Sequence, residues 1–290
     1  MKPYVLMKML DEGFDEVMWL DSDLIVNQNP FETFASIEKE VLVATEDALG
    51  EDRADGNAIR AQLWGFRVGR TLPFGLNSAV VRVSKDHYPL LDRWWNLLQD
   101  KTYQHFQKKG WRNRPVHMLS DQDVLTALLT SEQFSGIPLH VLRRGKDILQ
   151  FNGIYGYTMA ERMRNLLGKR PMFIHSVAAK PWSDEWRPES IADLSKYIKK
   201  IYVDLSPFTI SALRFRDDLD CDTAWMDAHY MLSRILRALG MGNPALVGLP
   251  IAIFADIACF IKNMRKSDRS SISANYSILE AGRHEVADSQ

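Results

Sequence analysis

The sequence predicts an α/β protein with a mostly parallel sheet flanked by helices, followed by a helical C-terminal region. Strand and helix patterns alternate over roughly the first 188 residues, as in α/β domains. The early run "VMWL" at Val17–Leu20 contains no polar residue, which predicts a strand buried on both faces, as in a parallel sheet. Beyond this part of the chain the pattern changes to helices and ends in a polar tail.

The first predicted elements are a short helix and three strands. Pro3 stands where a helix would begin, apolar residues follow at helical spacing, and Gly13 ends the helix. Strands are predicted at residues 16–20 ("EVMWL"), 41–47 ("VLVATED") and 76–84 ("LNSAVVRVS"), because apolar and β-branched residues dominate each run.

Two helices and two short strands follow. Residues 89–100 ("PLLDRWWNLLQD") place leucines and two tryptophans on one side of a helix, so the tryptophans are predicted to lie in the core. Ser120 begins a second helix, "SDQDVLTALL". Short strands are predicted at "LHVLRR" (139–144) and "MFIHSV" (172–177).

The rest of the chain predicts a second unit. Residues 227–240 ("DAHYMLSRILRALG") have a helical pattern, and the polar residues 267–290 are expected to be loosely ordered. We place the boundary near residue 200. This divides the chain into an α/β domain at 1–200 and a helical C-terminal region at 201–290.

Composition excludes several classes of protein. The net charge of -1 and the pI of about 6.7 do not indicate nucleic-acid binding. Cys221 and Cys259 are far apart and fit neither a disulfide framework nor a zinc site. The start of the chain lacks the pattern of a secretory signal, so we expect a cytoplasmic protein.

The apolar segment at 244–261 has two interpretations. Pro250 and Asp256 interrupt it, and it is shorter than the roughly 20 apolar residues of a membrane-spanning helix. A helix packed on its own domain is the favoured interpretation, and peripheral contact with a membrane is the alternative.

Asp21 and Asp23 follow the first predicted strand. Side chains two residues apart in a strand point the same way, so both carboxylates can face one point beyond the strand's end, where ligands of α/β sheets collect. Two such oxygen donors suit a divalent cation that also binds phosphate. The alternative is an ordinary acidic loop.

A second polar group follows the predicted strand at 172–177. His175 ends this strand, and Lys180 follows in "HSVAAKPW". An imidazole beside two carboxylates would favour Mn²⁺ over Mg²⁺, and a lysine is well matched to a diphosphate. A histidine buried in the core and an ordinary turn are the alternatives.

Four stretches, in order, resemble the retaining glycosyltransferases of family 8, which have the GT-A fold: "VMWLDSDLIV", "FGLNSAVVRVS", "LSDQDVLTALL" and "HSVAAKPW". The resemblance covers about residues 1 to 188 and implies transfer, with retention, of a sugar from a nucleotide-sugar donor, usually a UDP-sugar. It implies a glycan or lipid-linked acceptor. By position, Asp21, Asp23 and His175 match the family's metal ligands, and Lys180 matches the lysine on the donor phosphates.

The resemblance also assigns the sugar-binding residues. Asn77 matches the asparagine of the sugar pocket, while Asp121 and Gln122 match the pair that holds the transferred sugar beside the reacting carbon. A metal and a lysine would stabilise the departing diphosphate, and Gln122 is too weak a nucleophile for more than a positioning role.

Local structure offers rival explanations for these residues. Ser120 and Asp123 form a capping-box pattern, which alone would place polar residues at a helix start. Asn77 could equally shape the entry into its strand. The aromatic residues Trp64 and Phe66 belong to a glycine- and arginine-bearing segment that we expect to be a mobile loop near the acceptor.

The chain departs from the family pattern in three ways. Ala178 stands at a glycine position of the lysine loop, with the histidine and lysine one residue closer together, and Ala79 replaces another glycine. Only one helix precedes the strand before Asp21, where the resembled fold has the strands of its nucleotide pocket. We therefore expect an N-terminally truncated version, which leaves open whether these residues are active alone.

Two other functions stay open. The haloacid-dehalogenase phosphatases also have a first apolar strand that ends in Asp-x-Asp. Their pattern requires a Gly-Thr-like pair after the second aspartate, where this chain has Leu24 and Ile25. A truncated domain without catalytic activity, which binds a partner or a membrane, is the non-enzymatic alternative.

Overall fold

The computed structural model describes residues 1–47, 54–150, 157–167, 170–177, 180–183, 193–220, 222–257 and 261. It confirms the α/β class, with two sheets and ten named helices among these residues. The helices are α1 (Lys2–Asp11), α2 (Pro30–Phe34), α3 (Ala54–Leu63), α4 (Tyr88–Leu98), α5 (Lys101–Gln107), α6 (Asp121–Thr130), α7 (Met159–Leu167), α8 (Leu194–Asp204), α9 (Pro207–Ala212) and α10 (Met231–Leu239). Residues 249–257 are also helical.

The larger sheet has the strand order β1-β4-β3-β5. Its strands are β1 (Glu16–Leu20), β3 (Leu42–Glu46), β4 (Leu76–Ser84) and β5 (Leu139–Leu142). The pairings β1–β4 and β3–β4 are antiparallel, and only β3–β5 is parallel. The prediction of a mostly parallel sheet is therefore wrong among the described strands. An apolar run indicates that both faces of a strand are buried, but it does not indicate whether the neighbouring strands are parallel or antiparallel.

The burial predicted for the first strand is also wrong. Residues 17–19 of β1 are only half-buried, and Leu20 is 38% exposed. The reason is that, among the described strands, β1 lies at the edge of its sheet and pairs only with β4. All nine residues of β4 are buried, because it has a strand on each side and packs against α6.

The main core lies between the larger sheet and helices α1, α4 and α6. Leu6 of α1, Trp94 of α4 and Leu125 of α6 all have an exposure of 1% or less and belong to one apolar cluster. The prediction that Trp94 is a core residue is confirmed. Trp95 is half-buried beside Tyr4, with ring centroids 5.3 Å apart.

A smaller sheet has the order β2-β7-β6, formed by β2 (Leu24–Val26), β6 (Ile148–Gln150) and β7 (Phe173–His175). β2 and β7 are antiparallel, with Leu24 opposite His175. Each strand has only three residues, too few for a periodicity to show in the sequence, and β2 and β6 were not predicted.

The C-terminal region packs on this smaller sheet. Phe208 of α9 and Met226 lie in one apolar cluster with Ile25 and Ile174 of the sheet. The buried guanidinium of Arg162 donates to three backbone carbonyls of the C-terminal region, those of Pro244, Ala245 and Val247. Helix α8 runs across residue 200, and the division into two units stays a prediction.

The apolar segment at 244–261 forms its helix at residues 249–257, where Phe254 is 74% exposed. Within the described residues, none of the helices combines the length and the apolarity needed to cross a membrane. The polar tail at 267–290 lies outside the described residues.

Candidate functional site

The two sheets bring the predicted metal-binding residues together. Asp21 directly follows β1, and its N–H donates to the carbonyl of Ala79 in β4 at 2.9 Å. Asp23 directly precedes β2, and the register of β2 on β7 places His175 beside it. The N–H of Ser176 donates to the carbonyl of Asp23 at 3.0 Å, which fixes the end of β7 against this turn.

The three side chains converge on one point. One ligand atom from each of Asp21, Asp23 and His175 lies within 4.8 Å of the others. His175 Nε2 is 3.3 Å from Asp23 Oδ1, and the imidazole is only 5% exposed. Two carboxylates and an imidazole form a donor set that fits a divalent transition metal.

A lysine contacts each of the two carboxylates. Lys180 Nζ donates to Asp23 Oδ2 and to the carbonyl of Ser176. Lys2 Nζ lies 2.9 Å from Asp21 Oδ1 and 3.1 Å from its Oδ2. Each carboxylate is thus paired with an ammonium group on a flexible lysine stem.

Asp23 is strongly held in its ionised form. Burial alone would raise the pKa of this carboxyl, but the hydrogen bonds and positive charges of His175 and Lys180 outweigh burial and hold the pKa well below its usual value. Metal ligands must be deprotonated, so this environment suits a ligand carboxylate.

Trp19 fixes the orientation of the other carboxylate. Its indole Nε1 donates to Asp21 Oδ1 at 2.6 Å. Both residues lie on the same side of the chain at the end of β1, as their spacing of two residues requires. The ring of Trp19 also lies 5.8 Å from Lys2 Nζ, a cation–π contact.

Asp121 is joined to this centre through Lys2 and Ser78. Asp121 Oδ2 accepts from Ser78 Oγ at 3.2 Å and lies 3.6 Å from Lys2 Nζ. Lys2 Nζ also donates to Ser78 Oγ at 2.8 Å. One ammonium group therefore connects the first carboxylate of the Asp-x-Asp pair with the first turn of α6.

Gln122 faces a different neighbour. Its Nε2 donates to Asp47 Oδ2 at 3.3 Å. The capping box predicted at this helix is confirmed: Asp123 Oδ2 accepts from the N–H of Ser120 at 3.0 Å and from its Oγ at 2.7 Å. Since the cap uses Ser120 and Asp123, the half-buried side chains of Asp121 and Gln122 take no part in it.

Asn77 is buried and has a local role. Its Oδ1 accepts from the N–H of Ala79 at 2.8 Å, and its carbonyl accepts from Thr45 Oγ1. This is the strand-shaping role, and the role in a sugar pocket stays a prediction. Ala178, the other departure from the family pattern, lies outside the described residues.

Four residues of this site were not identified from the sequence: Lys2, Trp19, Asp47 and Ser78. Lys2 reaches a residue 76 positions away, and Asp47 meets a glutamine 75 positions away. Only Trp19 carried a local signal, since it lies two residues before Asp21 in the same strand.

Comparisons with known proteins give partial structural matches. No family model matches the chain, and no curated protein matches it significantly. Seven chains of solved structures match it, among them three glycosyltransferases. A glycosyltransferase involved in the glycosylation of the major capsid of PBCV-1 is 14% identical with a TM-score of 0.36, over 62% of this chain and 69% of that chain.

The other two structures have similarly low identity to this chain and similarly low TM-scores. Mouse xyloside xylosyltransferase 1 is 20% identical with a TM-score of 0.36, over 61% of this chain and 63% of its own. The galactosyltransferase LgtC, solved with donor and acceptor sugar analogs, is 14% identical with a TM-score of 0.37, over 67% and 66%. At these TM-scores the superpositions carry no argument about function, which has to come from the residues of this chain.

Proposed function

We propose that this chain is a metal-dependent glycosyltransferase of the GT-A type, similar to family 8, which transfers a sugar from a nucleotide-sugar donor, a UDP-sugar, to a glycan or lipid-linked acceptor with retention. The observation that carries the proposal is the convergence of Asp21, Asp23 and His175 within 4.8 Å, although the histidine is over 150 residues from the acids. The four motifs described above support the reaction class.

The metal ligands would be Asp21, Asp23 and His175. A bound Mn²⁺, or Mg²⁺ as the alternative, would neutralise the charge that develops on the departing diphosphate. The buried imidazole favours Mn²⁺ because nitrogen donors suit transition metals.

The two lysines would change partners when the donor binds. Lys180 and Lys2 now neutralise the carboxylates, and a diphosphate would offer both ammonium groups new oxygens. Lys180 lies next to Asp23 and would move to the phosphates, while Lys2, which also contacts Ser78 and Asp121, would stay near the sugar. Metal and nucleotide should therefore bind much more tightly together than separately.

The sugar would lie between the metal centre and the first turn of α6. Asp121 is joined to Asp21 through Lys2, so it is placed to accept from sugar hydroxyls. Gln122, held by Asp47, would position the reacting carbon without forming a covalent bond. Asn77 would contribute to the same pocket from β4.

A donor screen tests the proposal. The protein is incubated with a panel of nucleotide sugars and Mn²⁺, and released nucleoside diphosphate is measured. We expect release with at least one donor, loss of release in EDTA, and a reduction of at least about 100-fold in Asp23→Asn. Asp92→Asn, an exposed carboxylate on α4, is the matched control and should keep full activity.

Two outcomes would contradict the proposal. Metal-dependent release of phosphate from simple phosphoesters, with no sugar transfer, would identify the phosphatase alternative. No heat on titration of the folded protein with UDP and Mn²⁺ would identify a domain without catalytic activity.

A further inference from the structure

A second cleft lies at the opposite end of the small sheet. β2 begins beside Asp23 and ends at Val26, while β7 starts after Arg170 and Pro171 and ends at His175. The cleft has a volume of about 160 Å³ and lies at the end away from the acids. Both apolar and polar side chains line it, among them Leu149, Ile174, Ile210, Asn165, Ser211 and Asn243.

Two arginines line this cleft without a carboxylate partner. Arg170 and Arg214 both face it, and none of its described lining residues is an aspartate or a glutamate. Neither guanidinium forms an ion pair with any described residue. Arg144, by contrast, pairs with Glu161 at 3.0 Å. Two adjacent unpaired cations repel each other, and an anion between them would remove that repulsion.

Arg214 is already oriented. Its Nη2 donates to Asn27 Oδ1 at 2.6 Å, and its guanidinium carbon lies 4.4 Å from the ring centroid of Phe215. An arginine has five N–H donors in a planar fork, so this anchoring leaves others for a ligand. Partial burial, together with the charge of Arg170, lowers the pKa of Arg214, which agrees with two cations held close together.

An adjoining cleft extends the positive charge. It shares Arg170 and Asn165 with the first cleft and adds Lys146 and Arg164. Its one carboxylate, Asp147, accepts from the backbone N–H of Arg143 at 2.8 Å. Among their described lining residues, the two clefts thus collect four cationic side chains against one carboxylate, on a chain whose net charge is -1.

We propose that these two clefts form a basic groove that binds a phosphate-bearing anion. Bidentate recognition by guanidinium groups is strongest for phosphate and carboxylate, and doubly charged phosphate best balances two arginines. The groove is separate from the proposed donor site, because it contains neither the Asp-x-Asp pair nor Lys180. The inference is therefore independent of the reaction that the protein catalyses.

Calorimetric titration with inorganic phosphate tests the groove. It is done in EDTA at constant ionic strength, so that no metal loads the other site. We expect Arg170→Ala and Arg214→Ala each to weaken binding roughly tenfold, and the double variant to abolish it. Arg214→Lys keeps the charge but loses the planar guanidinium, so its phosphate affinity should lie between those of the wild type and Arg214→Ala.

Two controls separate the groove from other sites. Arg112→Ala, an exposed arginine far along the chain from both clefts, should bind phosphate normally. Lys180→Ala should also bind normally, because it removes a residue of the donor site only. Circular dichroism of each variant reports whether it is folded.

Vesicles distinguish the two sources of phosphate. Sedimentation with phosphatidic acid in phosphatidylcholine, compared with phosphatidylcholine alone, tests a lipid headgroup as the ligand. Binding to the acidic vesicles but not to phosphatidylcholine, lost in the Arg170→Ala and Arg214→Ala double variant, supports a lipid headgroup as the ligand. Heat of binding with free phosphate, without vesicle binding, supports a soluble phosphate. Absence of both, or binding that these variants leave unchanged, would overturn the proposal.

Discussion

At the scale of single residues, Asp23 is held by the end of β7 and by the residues that follow it. His175 contacts one of its carboxylate oxygens, Lys180 contacts the other, and Ser176 donates to its backbone carbonyl. All three come from beyond β6, so the acid is held by a single strand end and the loop that follows it. Changes at that loop should therefore be visible first in metal and nucleotide affinity.

Lys180→Ala should have opposite effects on two affinities. In the unloaded protein Lys180 competes with metal for Asp23, so its removal should raise the affinity for Mn²⁺ alone by about threefold to tenfold. The affinity for UDP in the presence of Mn²⁺ should fall by a similar factor, because the phosphates lose a cation. Calorimetric titrations measure both affinities.

Lys8→Ala is the matched control for this prediction. Lys8 is an exposed lysine that pairs with Glu12 at 3.9 Å, away from the site. It should change neither affinity. A Lys180→Ala variant that binds Mn²⁺ less tightly would show that the lysine supports the metal site instead of competing for it.

The carboxylate pair, the histidine and the lysine could be predicted from the sequence, because each stands in a short motif next to a strand. Lys2 and Asp47 could not, since nothing in their neighbourhoods sets them apart from ordinary surface residues. Their roles depend on β4 and α6 bringing Ser78 and Gln122 to them. Contacts of this range are decided by packing, and a local pattern does not report them.

At the scale of elements, the segment that carries Lys180 is anchored by an aromatic cluster. Trp182 packs against Phe208 of α9 and against Trp225, with ring centroids 5.7 Å and 5.8 Å apart. These contacts tie the lysine loop to the C-terminal region. The loop's position thus depends on a helix that lies outside the predicted catalytic domain.

Trp182→Ala should loosen this loop without removing a ligand. We expect the UDP affinity in Mn²⁺ to fall by roughly threefold, less than in Lys180→Ala, while far-ultraviolet circular dichroism stays unchanged. Trp111→Ala, which removes a tryptophan that is 52% exposed, is the control. An unchanged UDP affinity in Trp182→Ala would show that the aromatic cluster does not position Lys180.

Two histidines should make stability depend on pH. Burial lowers the pKa of His87, against the opposing effect of the Glu40 carbonyl, and burial also lowers the pKa of His117. The unfolded chain takes up protons below about pH 6.5, where the folded chain does not. The contribution of these histidines to the free energy of unfolding should therefore be complete above that pH. Below it, the free energy of unfolding should fall by at most about 1.4 kcal/mol per pH unit for each group.

Urea denaturation at several pH values measures this dependence. His87→Gln should flatten it between about pH 5 and 6.5. His105→Gln, which changes an exposed histidine, should leave the dependence as it is. A wild-type protein whose stability is constant across this range would contradict the assignment of a neutral buried imidazole.

Two of the longer strands could be predicted from the sequence, whereas two of the three-residue strands were missed, and helix α3 lies in a segment that was expected to be a loop. The strands at 16–20 and 76–84 agree residue by residue with β1 and β4, since each has enough residues to show its character. β2 and β6 have three residues each and exist only because β7 pairs with both. Strand direction was mispredicted because burial and direction are separate properties of a sheet.

At the scale of the whole molecule, the small sheet joins the proposed metal centre to the C-terminal region. Ile25 and Ile174, each one residue from the strand ends near the site, share an apolar cluster with Phe208 and Met226. The C-terminal region is therefore part of the support of His175, and a change there should weaken both the fold and the site.

Phe208→Ala tests this support. Phe208 is 5% exposed, and truncation of a buried phenylalanine costs about 3–5 kcal/mol of unfolding free energy. We expect a loss of this size in urea denaturation, with a weaker affinity for Mn²⁺ in the remaining folded protein. Phe31→Ala, at a phenylalanine that is 73% exposed, should change stability little. A Phe208→Ala loss no larger than the Phe31→Ala loss would show that the region docks loosely.

The most direct test of the central claim is pulsed electron paramagnetic resonance of Mn²⁺ bound to the protein with UDP. Coordination by His175 predicts a nitrogen modulation of the Mn²⁺ signal that disappears in His175→Gln while the protein stays folded. A bound Mn²⁺ that shows no nitrogen coupling, or a coupling that persists in His175→Gln, would contradict the three-residue metal centre on which the proposed sugar transfer depends.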